Sequence, residues 1–277
     1  MIVFATYEKC PEGQPDDRLA VNALRQRGVD VACVPWTQPL PSGTRAVVLR
    51  SPWDYFHRLP DFLAWLDALS LPLYNDRATV RANVDKRYLR DLGAAGVPVV
   101  ETAWPQPGDR LVDLLAARSW DDAVVKPAVS GGAFETFRLS AAEASAFEAR
   151  FAALLARGAV LVQPFLPEVV SEGELSLMYL GGRFSHAVVK RTRPDDFRVQ
   201  EAHGGTHAPT TVSPDLIAEA DAILKAAGAA DLLYARVDGV VRHGRFELME
   251  LELTEPSLFL DAVTAERFAD AVIERVG

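Results

Sequence analysis

Along the first eighty residues short apolar runs alternate with amphipathic stretches. Residues 2–6, 29–35 and 46–49 are apolar enough to be buried strands, and residues 71–74 read as a fourth. Pro15-Asp16-Asp17 is a helix-start signal, followed by a helix with Leu19, Ala20, Ala23 and Leu24 facing inward and Gly28 as its stop; residues 60–69 form a second helix. Strands separated by helices predict a parallel sheet covered by helices.

Further on, a helix is expected over residues 84–95, stopped by Gly96 and Pro98, then a strand over 97–102. The Pro-rich stretch Trp104-Pro105-Gln106-Pro107-Gly108 is the best candidate for a boundary or hinge. From Asp122 the order strand, Gly loop, strand, helix (141–156), strand (159–165) suggests a small α+β unit. The C-terminal part pairs residues 174–180 with 183–192, has a helix at 214–227, pairs 232–242 with 245–253, and closes with a helix near 264–276.

Composition narrows the function. With 38 acidic and 29 basic residues the net charge of −9 repels polyanions, so nucleic acid is not expected as main partner. No apolar run reaches the roughly 18 residues of a membrane span. Two cysteines, Cys10 and Cys33, cannot build a disulfide framework, and the opening MIVFATYEKC lacks a signal peptide's basic start and long apolar stretch, so a cytoplasmic protein with reduced thiols is expected. Only five basic residues are Lys, which draws attention to Lys86, Lys126 and Lys190.

Several segments could carry chemistry. Lys126-Pro127 followed by Ser130-Gly131-Gly132 ends a strand at a loop able to present backbone N–H groups to phosphate; the spacing is not that of a Walker loop, and a plain hairpin turn stays open. Gln163-Pro164-Phe165-Leu166 suits a purine needing main-chain contacts and an apolar sandwich, or is plain core. Glu168 and Glu174 follow, within reach of ribose hydroxyls or simply solvated. The segment Arg236-Val237-Asp238, a turn at His243-Gly244, and Met249-Glu250-Leu251-Glu252-Leu253 is the most informative. Glu250 and Glu252 share one strand face and Met249, Leu251 and Leu253 the other, and paired carboxylates suit Mg²⁺ or Mn²⁺ unless that face is merely wet. A two-residue turn would set Asp238 opposite Met249, so joint metal binding requires a bulge, with Gly239 the obvious place. Basic residues gather from Lys190 to Arg198, followed by Gly204-Gly205, as a phosphate or carboxylate clamp or a solvated hairpin. Arg50-Ser51-Pro52-Trp53 follows a strand at the end where α/β sheets bind ligands, and Arg50 could hold a carboxylate there. A zinc site at His203 and His207 is not favoured, because the Gly pair between them breaks a helix.

In order, these pieces resemble the ATP-grasp superfamily of carboxylate–amine ligases over residues 83–260: Asp85-Lys86-Arg87, Val125-Lys126-Pro127 with Ser130-Gly131-Gly132, Gln163-Pro164-Phe165-Leu166, Asp196-Phe197-Arg198 with Gly204-Gly205, Arg236-Val237-Asp238 and Glu250-Leu251-Glu252. The details RSPWDY, DFRVQ and EPSLFL are similar to glutathione-synthetase-like proteins, particularly the cycloserine-forming O-ureido-serine cyclo-ligase group. The resemblance implies an α/β (α+β) ATP-grasp fold: a Rossmann-like N-terminal domain over 1–82, a linker over 83–102, a lid over 103–163 and a metal-binding antiparallel-sheet part over 164–277. It implies ATP held by Lys86, Lys126, Ser130, Gly131, Gly132, Gln163, Pro164, Phe165, Leu166 and Lys190, with Glu174 or Glu168 on the ribose. Two Mg²⁺ ions, with Mn²⁺ an alternative, would sit on Asp238, Glu250 and Glu252. Arg236 and Arg198 would face the transferring phosphoryl group, and Arg50, Ser51, Trp53, Arg198, Gly204, Gly205 and Ser257 the substrate. Many relatives have Asn where Glu252 stands, so this site has one more negative charge. The implied reaction turns a small amino-acid-type carboxylate into an acylphosphate and joins it to an amine. A phosphotransferase, or a nucleotide-binding module without catalysis, is the alternative, the latter disfavoured by the intact Lys, Arg and acidic positions. A homodimer is compatible with the resemblance, which leaves the oligomeric state open.

Overall fold

The computed structural model describes residues 1–276 and has three sheets. The first is parallel, in the order β2-β1-β3-β4, from β1 Ile2–Thr6, β2 Val31–Pro35, β3 Ala46–Leu49 and β4 Leu73–Tyr74. Its crossovers are α1 Pro15–Gln26 and α2 Leu59–Ala68. Helix α1 starts as expected: the side chains of Gln14 and Asp17 cap each other's backbone. Its buried face is Ala20, Val21, Ala23 and Leu24, whereas Leu19 is exposed and turned to the cleft described below.

The linker departs from the expected helix. Residues 84–95 are not one helix: α3 Arg77–Asn83 and α4 Tyr88–Ala94 are separated by a break. The break is held by other partners, since the Lys86 amide donates to Ala128 O (2.9 Å) and Arg87 N to the Asp85 carboxylate (2.9 Å). No strand forms over 97–102; Val99 and Ala103 make only isolated bridges, to Leu248 and Val162.

The second sheet, β6-β5-β7, comprises β5 Asp122–Pro127, β6 Phe137–Ser140 and β7 Val160–Pro164. Helices α5 Leu111–Arg118 and α6 Ala144–Arg157 cover it over a core including Leu115, Val125, Phe151 and Val162.

The third sheet runs β10-β9-β8-β11-β12, from β8 Glu174–Leu180, β9 Arg183–Arg191, β10 Thr206–Thr210, β11 Tyr234–Arg242 and β12 Arg245–Glu252, with the short helix α7 Glu168–Ser171 before it. Strand β10 has no apolar run to announce it; it is an exposed edge strand, the position where Pro209 is tolerated. One face packs on α4 and α8 Pro214–Ala226 through Leu89, Ile223, Leu248 and Leu251. The last helix, α9 Ala262–Val276, lies against α1, so Phe4 and Leu24 share a core with Tyr234, Phe268 and Val272. On its other face the third sheet packs under α9 through Met178, Leu180 and Val188, and beyond them its polar residues Glu174, Asp238 and Glu250 border a cleft.

Candidate functional site

The cleft has a volume of about 1190 Å³ and takes side chains from the second and third sheets and from α1 and the loops that follow β1 and β3. Its floor is set by strand register. After the two-residue turn at His243-Gly244, whose positive φ values of 52° and 74° suit a tight hairpin, Arg242 pairs with Arg245 and Gly239 with Leu248. The register then shifts, and Asp238 pairs with Glu250 and Arg236 with Glu252. The extra residue is Met249 on β12, opposite Gly239. A Cβ at Gly239 would stand 2.3 Å from Glu247 O and 2.6 Å from the Phe246 ring, so only glycine admits this crossing. The bulge moves Met249 off the face it was expected to share with Leu251 and Leu253; it lines the cleft beside Val100, Leu166 and Val169.

The floor extends sideways, with Ser176 opposite Asp238 and Glu174 opposite Lys190. Asp238 is 2% exposed and accepts from Arg236 Nε (2.9 Å) and Nη2 (2.8 Å), Lys190 Nζ (3.1 Å) and Ser176 Oγ (2.6 Å). Burial works against its charge, but Arg236 and Lys190 outweigh burial and hold the carboxyl well below the usual range. Arg236 also grips Glu252 and donates to Ser257 O at 3.0 Å. Burial, with Glu250 and Asp238 nearby, still pushes the Glu252 carboxyl up to about 7 against the pull of Arg236.

Lys86 reaches this floor because of the break between α3 and α4. Asn83 and Tyr88 flank it and bond the β12 backbone: Leu253 N donates to Asn83 Oδ1 at 2.8 Å and Leu251 N to Tyr88 Oη at 2.9 Å. Lys86 Nζ is thereby set 3.1 Å from Glu250 Oε1, and it donates to Ser130 O at 2.7 Å. Burial alone would raise Glu250, but Lys86 and Lys126 bring its carboxyl below the ordinary value. Lys126, at the end of β5, makes no ion pair among the described residues; burial and the repulsion of Lys86 lower its ammonium, although Glu250 pulls the other way.

The loop after β5 roofs the cleft. Phe134 rests on Phe56 (ring centroids 5.5 Å apart) and His57 (4.8 Å), and a His203 ring nitrogen lies 3.3 Å from Gly132 O. At the far end, Gln163 is pinned by Nε2 to Thr102 Oγ1 (3.0 Å), and Phe165 lies beneath the Arg138 guanidinium. Gln163, Pro164, Phe165 and Leu166 all line the cleft, as do Ser130, Gly131, Gly132, Trp53, Arg198 and Ser257. Arg198 is engaged by Asp196 (Nη2 to Oδ2, 2.8 Å).

Five sequence candidates do not line the cleft. Arg50 is 1% exposed, its Nε 2.8 Å from Asp17 and its guanidinium against Tyr234 and Phe268; it is a core ion pair, not a free carboxylate receptor. Ser51, fully buried, donates to the same Asp17. Gly204 and Gly205 shape the turn after residues 201–203, and a Cβ at Gly205 would lie 2.1 Å from Val199 O. Glu168 accepts from Arg242 at 3.1 Å away from the cleft. Tyr55 and Glu255, from the RSPWDY and EPSLFL segments, also line it, as does Asp16, which the sequence did not single out. Burial and the neighbouring Glu252 push the Glu255 carboxyl up to about 8.

Among the described residues no three Asp, Glu, His or Cys side chains converge as a ready metal cage, because Lys86, Lys190 and Arg236 stand between the carboxylates. The donor chemistry nonetheless fits a hard divalent cation: Asp238, Glu250 and Glu252 offer only oxygens from paired positions on adjacent strands.

The comparisons place this architecture. The chain superposes on the crystal structure of D-cycloserine synthetase DcsG with a TM-score of 0.88 at 32% identity, covering 100% of both chains. It superposes on the RimK domain ATP-grasp protein from Sphaerobacter thermophilus with a TM-score of 0.71 at 19% identity, covering 98% of each. The fold is the ATP-grasp fold. The chain is 34% identical over 283 residues to the cycloserine biosynthesis protein DcsG of Streptomyces lavendulae, covering 92% of each, and a family model for the N-terminal domain of D-cycloserine synthetase DcsG matches residues 2–75. It belongs to the DcsG family. No helix among the described residues is long and apolar enough to cross a membrane.

Proposed function

We propose that the protein activates the carboxylate of a small amino acid with ATP and lets a nitrogen of the same molecule displace the phosphate, closing a small ring. The intramolecular version rests on the likeness to a cycloserine biosynthesis protein and on the O-ureido-serine group that the sequence resembles. The observation that carries the reading is the pairing of Asp238 with Glu250 on a floor that Lys86, Lys126, Lys190 and Arg236 all approach within one cleft.

Lys86 and Lys126 take the phosphates under the loop of Ser130, Gly131 and Gly132, and Gln163, Pro164, Phe165 and Leu166 frame the adenine. Glu174 is the better ribose acceptor, since it lines the cleft while Glu168 is held by Arg242. Lys190 keeps Glu174 and Asp238 in place. Asp238, Glu250 and Glu252 would hold two Mg²⁺ ions, with Mn²⁺ acceptable to the same oxygens. When bound, the cations neutralise phosphoryl oxygens and lessen the charge repulsion against an incoming carboxylate.

A substrate carboxylate oxygen attacks the γ-phosphorus; the bond from phosphorus to the bridging oxygen breaks and ADP leaves with that electron pair. The nitrogen then attacks the acyl carbon and gives up a proton as phosphate departs. Arg236, and Arg198 once it exchanges Asp196 for the ligand, offset the charge that develops. The roof loop keeps water from the acylphosphate. Trp53 and Ser257 border the amino acid. Incubation with ATP, Mg²⁺, O-ureidoserine and hydroxylamine tests the reading: a hydroxamate with stoichiometric ADP is expected, and a stable phosphorylated product in its place would make the protein a phosphotransferase.

A further inference from the structure

We infer that Glu255, oriented by Tyr55, anchors the substrate's α-ammonium and so selects amino acids over plain carboxylic acids. The inference rests on the ligase reading above and names the group that the same cleft recognises.

Glu255 begins the segment Glu255-Pro256-Ser257-Leu258, and every residue of that segment is tied down. Trp53 Nε1 donates to Glu255 O (3.0 Å), Arg50 Nη2 to Pro256 O (3.2 Å), Arg236 Nη1 to Ser257 O (3.0 Å), and Leu258 N to Asp16 Oδ2 (3.1 Å). The side chain faces the cleft beside Tyr55, whose hydroxyl favours its ionised form and whose ring, 4% exposed, lies tilted against Phe62 with centroids 4.9 Å apart. Such a carboxylate is positioned in advance rather than free to find solvent.

The other acids of the floor are matched by the protein's own cations: Glu250 by Lys86, Glu252 and Asp238 by Arg236, Glu174 by Lys190. Glu255 has no ion pair among the described residues, although it lies near enough to feel Lys86, Glu250 and Glu252. A partly buried carboxyl without a counter-charge holds on to its proton, and a cationic ligand group beside it would favour the ionised form. An amino acid whose carboxylate comes to Arg236, which also donates to Ser257 O two residues from Glu255, would carry its ammonium one carbon further along the same cleft. Asp16, the other acid at this end, is already served: its oxygens accept from Leu258 N (3.1 Å) and Asp17 N (3.0 Å).

The test compares O-ureidoserine with its des-amino analogue, 3-(ureidooxy)propanoate, by ADP release and hydroxamate capture. The wild-type protein should favour the amino compound by at least about 30-fold in kcat/KM. In Glu255→Gln that preference should fall to within about threefold through a rise in amino-substrate KM, with the KM for ATP changed less than about twofold, and Glu255→Asp should recover part of it. Should Glu255→Gln fail to fold, Tyr55→Phe, which removes the orienting hydroxyl, should lower the preference about threefold to tenfold. Wild-type preference kept in a folded Glu255→Gln, or lost in Asp16→Asn instead, overturns the anchor. Absence of hydroxamate and ADP from the wild-type protein with O-ureidoserine overturns the ligase reading itself.

Discussion

Asp238 and Glu250 face each other directly across β11 and β12, a pairing that exists only because Met249 is extruded opposite Gly239. Without that extra residue the two carboxylates would lie on opposite faces of the sheet. The space that makes the bulge possible is the missing side chain of Gly239, so Gly239→Ala forces Glu247 O and the Phe246 ring apart. A loss of about 1–3 kcal/mol in urea unfolding is expected, together with weaker Mg²⁺-dependent ATP binding. Unchanged values for both would mean that the strands accommodate a Cβ there.

Glu250 carries the floor's charge toward Lys86 and Lys126. Glu250→Gln should lower ADP release at least about 100-fold while circular dichroism and the melting transition stay near wild type. Near-normal turnover would remove Glu250 from the metal set.

Arg50 gives the opposite expectation. Its partner Asp17 is 1% exposed in its side chain, so Arg50→Ala leaves a buried carboxylate uncompensated and should cost about 3–5 kcal/mol in chemical denaturation. Arg50→Lys, which keeps the charge, should fold with substrate KM within about threefold of wild type. A large KM increase in that folded variant would return Arg50 to the substrate site.

The raised Glu255 carboxyl sets a pH dependence. The native protein holds this proton up to about 8, whereas the unfolded chain releases it near the ordinary 4.5, so stability falls as pH rises across that interval. Gln cannot ionise. In nucleotide-free buffer with EDTA, Glu255→Gln should therefore melt about 4 °C or more above wild type at pH 8, the gap closing toward pH 4.5. Equal melting temperatures at both pH values would contradict the burden placed on Glu255.

Much of this was legible in the chain. Apolar runs located β1 and β3, and the His243-Gly244 turn, with the count of residues around it, already demanded a bulge if Asp238 and Glu250 were to meet. Periodicity could not reveal that the helix through Val84 breaks, because the break is held by Ala128 O and the β12 backbone, far away in sequence. Strand β10 escaped for a related reason: an exposed edge has no apolar pattern. Arg50 was misread because its position after a strand is correct for ligand binding, while its partner Asp17 lies 33 residues upstream on a different element. Glu255 has no local signal beyond the motif that contains it.

The ring of Phe134, on the loop that roofs the nucleotide end, rests on Phe56 and His57 from the N-terminal part of the chain. The N-terminal part of the chain thus serves as a doorstop for the loop over the cleft. A change at Phe56 would therefore unseat Phe134 from outside the loop that carries it.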